Sequence, residues 1–524
     1  MRRFNTTAVC LPQKHYMVDI SEKLGQIIGM IKDEEYFTIN RSRQYGKTTT
    51  LAALFRRLKD EYIVLRLSFE GLSEDAFVSS RVFVRNFIYL VAEHWEFMEY
   101  PAEAMVNWKD MGELQDDSYM DSFDVLSRKI TNLCKNGTTN QKEILLFIDE
   151  VDKTSDNQIF LNFLGMLRNK YIKRQEGLDY TFKSVILVGV YDIKNLKLKL
   201  RPEEEKKYNS PWNVAADFNV DMSFSPKEIA TMLQEYEADY HTGMDIDKIS
   251  NTLYFYTNGY PYLVSWLCKW IDEQGDKVWT KENIDLAIKN MLETKTTLFD
   301  DLSKKYDNHT ELANMIDDML FGKKKYPYFL ADDTISLGVM FGIFSRKDSE
   351  LMISNIIFEQ YFTNKIIIRN MRKDVVGQPE RSQFIKDGKL DMPHILTKFQ
   401  EIMKAEYHSA DGKFLEQQGR LLFLCFLKPI INGTGFYYVE PETRNNTRMD
   451  LVVTYGNEEH IIELKLWHGD QYRKEGIEQL EGYLDSRNSK TGYLVSFSFN
   501  QNKEYSSGWL EEKETDKHIF EIII

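Results

Sequence analysis

The chain has 524 residues with ample apolar and aromatic material, enough for two to four globular domains. A formal net charge of −14 excludes a uniformly basic nucleic-acid binder, although it leaves room for a local positive groove. The four cysteines, Cys10, Cys134, Cys268 and Cys425, show neither zinc-ligand spacing nor a disulfide framework, and the longest apolar runs, such as "LLFLCFL", are too short to cross a bilayer.

The first residues, "MRRFNTTAVCLPQ", carry two arginines but no apolar stretch of signal-peptide length, so the expectation is a soluble, cytoplasmic protein in a reduced compartment with no membrane partner. Five β-rich runs follow: "YFTIN" (36–40), "IVLRLSFE" (63–70), "ILLFIDE" (144–150), "SVILVGV" (184–190) and "FNVDMSF" (218–224). Nearly continuous apolar runs of this length suit strands covered on both faces of a parallel sheet, and the periodic segments between them suit crossover helices. From about 226 to 300 the pattern is helical, opening with Ser225 before Pro226 as N-cap and first-turn residues. Residues 301–375 mix helices with short strands, which suits a winged-helix-like module. The polar stretch "RKDVVGQPERSQ" marks a boundary near 373–383. Beyond it the order is helix, three strands ("FYYVE", "RMDLVVTY", "HIIELKL"), the helix "IEQLEGYLDSR", the strand "GYLVSFSF" and a last strand "HIFEIII".

The strand "YFTIN" runs into "RSRQYGKTTTLAALFRRL". Strand, loop, Gly-Lys-Thr and helix is the arrangement a phosphate needs: amides at a helix N-terminus, a lysine, and a hydroxyl for a metal. Arg43, Gln44, Tyr45, Gly46, Lys47, Thr48 and Thr49 are the candidate nucleotide-binding residues, with Lys47 on the β- and γ-phosphates and Thr48 on Mg²⁺. Arg41 stands where the usual pattern has its first glycine. Arg41 and Arg43 are open to two readings, folding back on the phosphates or pairing at the surface. "EILLFIDEVD" ends an apolar strand in Asp149 and Glu150, suited to holding Mg²⁺ and to orienting the attacking water respectively, with Asp152 as an accessory. His15 is read either as a contact to the base or as a local cap.

These features, with "VILVGVYD", "SPWNVAADF" and "NGYPYL", make residues 1–300 resemble the AAA-like ATPases of the additional-strand P-loop class. The resemblance implies ATP and Mg²⁺ as cofactors and sheet order 5-1-4-3-2. It also implies a polar sensor at Asp192 beside Tyr191, and a helical lid opening at "NGYPYL". Arg201 occupies a loop where an arginine finger could sit, but its charge-rich surroundings favour a solvated loop.

Near the C-terminus, "RMDLVVTYGNEEHIIELKLW" places Asp450 in one β-run and Glu463 and Lys465 in the next. Alternation puts Glu463 and Lys465 on one face, and a hairpin brings Asp450 beside Glu463. Two carboxylates and a lysine could bind Mg²⁺ and stabilise charge on a scissile phosphate, with the Leu464 carbonyl as a further ligand. These residues resemble the PD-(D/E)XK nuclease superfamily, over about 390–524. The resemblance adds Glu416 on the preceding helix as a metal ligand, Gln479 on the following helix to position water, and Glu442 as an extra ligand. It departs from relatives at Thr447, where glycine is usual.

The expected architecture is α/β: a P-loop ATPase core over 1–240, a helical lid over 241–300, a winged-helix-like connector over 301–383, and an αβββαβ restriction-endonuclease-like domain over 384–524. The expected function is an ATPase gating a Mg²⁺-dependent nuclease that acts on DNA or RNA. A non-catalytic, nucleotide-dependent scaffold whose C-terminal domain only binds nucleic acid or a protein is the alternative, and homo-oligomerisation is left open. The basic-aromatic stretches "FGKKKYPYF" and "IIIRNMRKD" are read as solvated faces before nucleic-acid grips.

Overall fold

The computed structural model describes residues 2–105, 108–109, 122–136, 142–154, 157–190, 212–321, 324–371, 381–406, 412–431, 435–438, 451–456, 458–467, 469–498, 505–510 and 516–524. Packing divides the chain into two units. One comprises Met1–Tyr254, Gly259–Ile284 and Val339–Gly342, and the other Phe255–Asn258, Asp285–Gly338 and Ile343–Ile524.

The first unit begins with α1 (Ser21–Lys32), β1 (Phe37–Asn40), α2 (Lys47–Leu58), β2 (Ile63–Ser68) and α3 (Ser80–Phe97). It continues through α4 (Ser122–Asn136), β3 (Ile144–Asp149), α5 (Gln158–Gln175), β4 (Ser184–Gly189), α6 (Pro226–Tyr240), most of α7 (Ile246–Thr257) and α8 (Pro261–Glu273). The four strands are parallel, in spatial order β1-β4-β3-β2. Successive residues feed opposite faces. Leu65, Leu67, Leu146 and Ile148 pack with Phe83, Phe87, Phe163 and Leu167 on one side. Val64, Leu145, Phe147 and Ile186 pack with Leu24, Ile27, Leu51 and Leu54 on the other. Each such side chain contributes about 1.5–3 kcal/mol when fully buried, so a strand with two covered faces favours apolar residues along its length. Asp149 is the first polar residue of β3 and stands at its end, as Asn40 stands at the end of β1.

The expected fifth strand, 218–224, is not formed. Ala216 makes a single parallel bridge to Phe37, its amide donating to the Tyr36 carbonyl at 2.8 Å, and the ladder stops there. Two carbonyls of this segment are taken by side chains. Arg41 Nη2 donates to the Val220 carbonyl at 2.8 Å and Lys23 Nζ to the Ser223 carbonyl at 2.5 Å. Ser225 caps α6 as expected, in a reciprocal box with Glu228. The four cysteines are free, and no helix among the described residues is long and apolar enough to cross a membrane.

The second unit holds most of α9 (Lys281–Glu293), then α10 (Thr297–Asn308), α11 (Thr310–Leu320), most of α12 (Asp333–Met340), the hairpin β5 (Phe344–Lys347)–β6 (Glu350–Ile353) and α13 (Ile356–Met371). A small ribbon, β7 (Ile385–Lys386) and β8 (Lys389–Leu390), leads to α14 (Met392–Glu406) and α15 (Gly412–Ile431). A mixed sheet closes the chain: β9 (Gly435–Tyr438), β10 (Leu451–Tyr455), β11 (Glu458–Leu466), β12 (Thr491–Phe497), β13 (Ser507–Trp509) and β14 (His518–Ile523). Helix α16 (Asp470–Arg487) crosses over from β11 to β12, and the spatial order is β13-β14-β12-β11-β10-β9. The β10–β11 hairpin is antiparallel, whereas β11, β12 and β14 are parallel. Val452, Ile461, Leu494 and Ile519 form one core with Ile477, Leu480 and Leu484 of α16.

Gly259, at the turn into α8, has φ +69°, and a Cβ there would lie 2.0 Å from the Phe224 carbonyl oxygen. Gly259→Ala is expected to cost on the order of 2 kcal/mol or more, because strain and backbone collision act together. Urea denaturation followed by circular dichroism checks this, and an unchanged midpoint would contradict it.

Candidate functional site

The loop from Arg41 to Gly46 leaves β1 and enters α2, with Gly46 as N-cap at φ 79°. A side chain would strain that left-handed position, and glycine leaves the helix amides open to approach. Lys47, only 7% exposed, does not point outward: its Nζ donates to the carbonyls of Arg41 at 2.8 Å and Ser42 at 3.0 Å. Gln44 holds a left-handed φ of 59° without being glycine. The other side of the loop meets Tyr260, the N-cap residue of α8. Its hydroxyl donates to the Arg43 carbonyl at 2.6 Å and lies 3.2 Å from the Ser42 hydroxyl. The Tyr260 ring also packs edge-on against Tyr45 at 4.8 Å. Burial pushes the Tyr45 phenol up to about 12, so it stays protonated.

Asp149 ends β3 and is 5% exposed, and its Oδ1 accepts the Glu150 amide at 3.0 Å. Glu150 adopts a left-handed φ of 56°, a strained conformation for a side-chain-bearing residue. Burial first, and then the neighbouring Asp149, raises the Glu150 carboxyl above its usual range, while Lys47 pulls the other way. Lys47 thus bears on Glu150 although the two are far apart in the sequence.

Four side chains near the loop have other partners. Arg41 does not turn to the loop's interior. It donates to the Asn40 and Val220 carbonyls and lies over the Phe218 ring at 5.3 Å, so it fastens the 218–220 segment. Asp152 receives the Val190 amide on both oxygens, at 2.7 and 2.6 Å, which ties it to the end of β4. His15 is a local element: its Nδ1 accepts the Leu11 amide at 2.9 Å, and burial lowers its pKa. Thr49 Oγ1 accepts the Cys10 amide at 3.2 Å, so it anchors the N-terminal segment to α2. Tyr191, Asp192 and Arg201 lie outside the described residues.

In the second unit, β11 places Glu463 and Lys465 on one face, as alternation requires. Glu463 is 2% exposed; Lys465 Nζ lies 3.1 Å from its Oε1 and donates to Gln479 Oε1 at 2.5 Å. Two of the expected residues, Glu463 and Gln479, therefore converge on Lys465. Leu464 lies between them, paired in register with Val495. Asp450, Glu442 and Thr447 lie outside the described residues, as does the side chain of Glu416, which is carried on α15. Leu451, the chain neighbour of Asp450, pairs with Ile462, the chain neighbour of Glu463.

Two features escaped the sequence reading. Tyr260 sat in the quoted "NGYPYL" but carried no assigned role. Glu521 is the one acid within the apolar run "FEIII". It receives a two-pronged bond from Arg473 of α16, Nε to Oε1 at 2.7 Å and Nη2 to Oε2 at 2.8 Å. Glu521 pairs with Leu494, which pairs with Glu463, so a row of three positions spans β11, β12 and β14. Arg473 thereby pins the start of α16 to the strand two away from Lys465.

Among the described residues no group of three or more His, Cys, Asp and Glu is gathered to hold a metal ion. The Thr48 hydroxyl and the buried Asp149 carboxylate are hard oxygen donors of the kind Mg²⁺ takes alongside phosphate oxygens, so this pair fits that ion. Glu463 and the Leu464 carbonyl are donors of the same class.

A carboxyl with a raised folded-state pKa favours the fold while protonated and gives up that contribution as pH climbs through the raised value. Glu150→Gln removes the charge and keeps the shape. Its melting temperature is expected to gain on wild type as pH rises from about 4 to about 7. Scanning fluorimetry across that range checks this, and a gap constant with pH contradicts it.

Residues 21–364 match the family model described as an AAA-like domain. Among solved structures, the chain is similar to the Walker-type ATPase PABY2304 of Pyrococcus abyssi, at 11% identity over 68% of this chain and 99% of that one, with a TM-score of 0.47. It is also similar to the Aeropyrum pernix ORC2 protein in its ADPNP-ADP complexes, at 12% identity over 70% of this chain and 98% of that one, with a TM-score of 0.37. No curated protein matches. The family match spans well over half of the sequence and contains the Gly-Lys-Thr loop and both acidic strand-end residues, so the chain belongs to the AAA-like domain family.

Proposed function

We propose that the protein binds and hydrolyses ATP in its first unit and cleaves phosphodiester bonds of DNA or RNA in its second, with nucleotide state gating cleavage. The reading divides the chain into an ATPase core at 1–240, a lid at 241–300, a connector at 301–383 and a nuclease-like domain at 384–524. Helices α10–α12 and the β5–β6 hairpin support a winged-helix-like connector. A cytoplasmic location is part of this reading.

The observation that carries the ATPase half is Lys47, buried within the loop with its ammonium on the Arg41 and Ser42 carbonyls. Amides of 43–49 would receive phosphate oxygens, and Lys47 would balance charge on the β- and γ-phosphates. Thr48 and Asp149 would hold Mg²⁺, which supplies charge neutralisation at the phosphates. Glu150, made more basic by burial, would orient water and accept its proton. Asp192 is proposed as the sensor of the γ-phosphate. In the second unit Asp450, Glu463, Glu416 and the Leu464 carbonyl would ligate Mg²⁺. Lys465 would stabilise charge on the cleaved phosphate, and Gln479 would keep the lysine and water in register.

Cleavage of labelled single- and double-stranded DNA and RNA by the full chain, run beside phosphate release, tests both halves. Asp450→Ala should abolish cutting and leave ATP turnover intact, and Lys465→Ala should slow cutting by about 10²-fold. Lys47→Ala should stop turnover and every ATP-dependent part of cleavage. Cutting undiminished in Asp450→Ala overturns the nuclease half, and turnover undiminished in Lys47→Ala overturns the ATPase half. Wild type that binds nucleic acid and ATP yet never cuts supports the scaffold alternative.

A further inference from the structure

The phosphate loop has a single glycine from Arg41 to Lys47. It must nevertheless turn its peptide planes so that amides face a phosphate. In a trans peptide the carbonyl and the following N–H lie in one plane and point opposite ways, so holding one fixes the other. Lys47 holds the carbonyls of Arg41 and Ser42. The next carbonyl, that of Arg43, is held by Tyr260 at 2.6 Å. A phenol has one proton, and it goes to a carbonyl that can only accept; the Ser42 hydroxyl therefore donates to the Tyr260 oxygen across their 3.2 Å contact. The peptide that Tyr260 fixes is the one entering Gln44, whose φ of 59° is disfavoured for a residue with a side chain.

We propose that Tyr260 is a positioning residue of the nucleotide site, which fixes the Arg43–Gln44 peptide so that the Gln44 amide faces the nucleotide's β-phosphate. This rests on the ATP-binding reading above and adds a residue to it. The reach comes from the chain's own construction: Gly259 permits the turn that carries Tyr260 to the loop, and Pro261 starts α8 directly after it. Nucleotide occupancy would thereby be felt at the first residue of α8, because the same hydroxyl that orients the loop sits at the helix cap.

Tyr260→Phe keeps the ring on Tyr45 and removes only the donor. In the full chain, fluorescent-analogue displacement should show ADP and ATP binding weakened about fivefold, the size expected for one hydrogen bond. AMP, which lacks the β-phosphate, should bind as in wild type, so the ADP-to-AMP affinity ratio falls. General loss of structure would lower all three together and shift the melting temperature, which should stay within the wild-type range. An ADP-to-AMP ratio equal to wild type overturns the inference while wild-type ATP binding leaves the ATPase reading standing. Wild type that binds no adenine nucleotide overturns both.

Discussion

Backbone carbonyls must be held before backbone amides can be offered, and the loop ahead of α2 depends on this constraint. With glycine at one position only, its shape cannot come from conformational freedom alone. It comes from donors on two sides: the Lys47 ammonium inside the turn and the Tyr260 hydroxyl outside it. Arg41, where a glycine is usual, is drawn outward to Val220 and Phe218. A large cation at that position is compatible with the loop because its charge is used elsewhere.

The same unit gathers negative charge at the end of β3. Two covered faces keep polar groups out of the strand until Asp149, so the sheet's own packing delivers the carboxylates to its edge. The strained Glu150 and its raised pKa are costs to stability that the fold sustains at this point. Such costs are expected where chemistry is done. In the second unit the order is different: Glu463 sits inside a parallel pair of strands, nearly fully buried, with Lys465 as its counter-charge. Removing that lysine would leave a buried carboxylate without its cation, so the pair serves both the domain's stability and its proposed chemistry.

Much of this was legible in the residues. Four parallel strands were readable because burial on both faces writes itself as unbroken apolar runs. The Glu463–Lys465 pairing was readable because strand alternation has a fixed period. The failed strand at 218–224 was not, because its apolar pattern is adequate and its hydrogen-bond partners are side chains of Arg41 and Lys23. Tyr260 was hidden for a related reason: its bond to Arg43 spans 217 residues, and nothing local marks a tyrosine for such a role. Asp152 was read as an accessory to the Asp149–Glu150 pair. Its two bonds to the Val190 amide come from the adjacency of β3 and β4, which the acidic cluster alone does not encode.

The central claim is that amides of the loop and of the first turn of α2 receive the nucleotide's phosphates. Amide hydrogen exchange of the full chain with and without saturating Mg²⁺ and a non-hydrolysable ATP analogue tests it most directly. The account predicts slowed exchange in peptides covering 41–50, with smaller changes around 144–150. Saturable nucleotide binding that leaves exchange across 41–50 unchanged would contradict it.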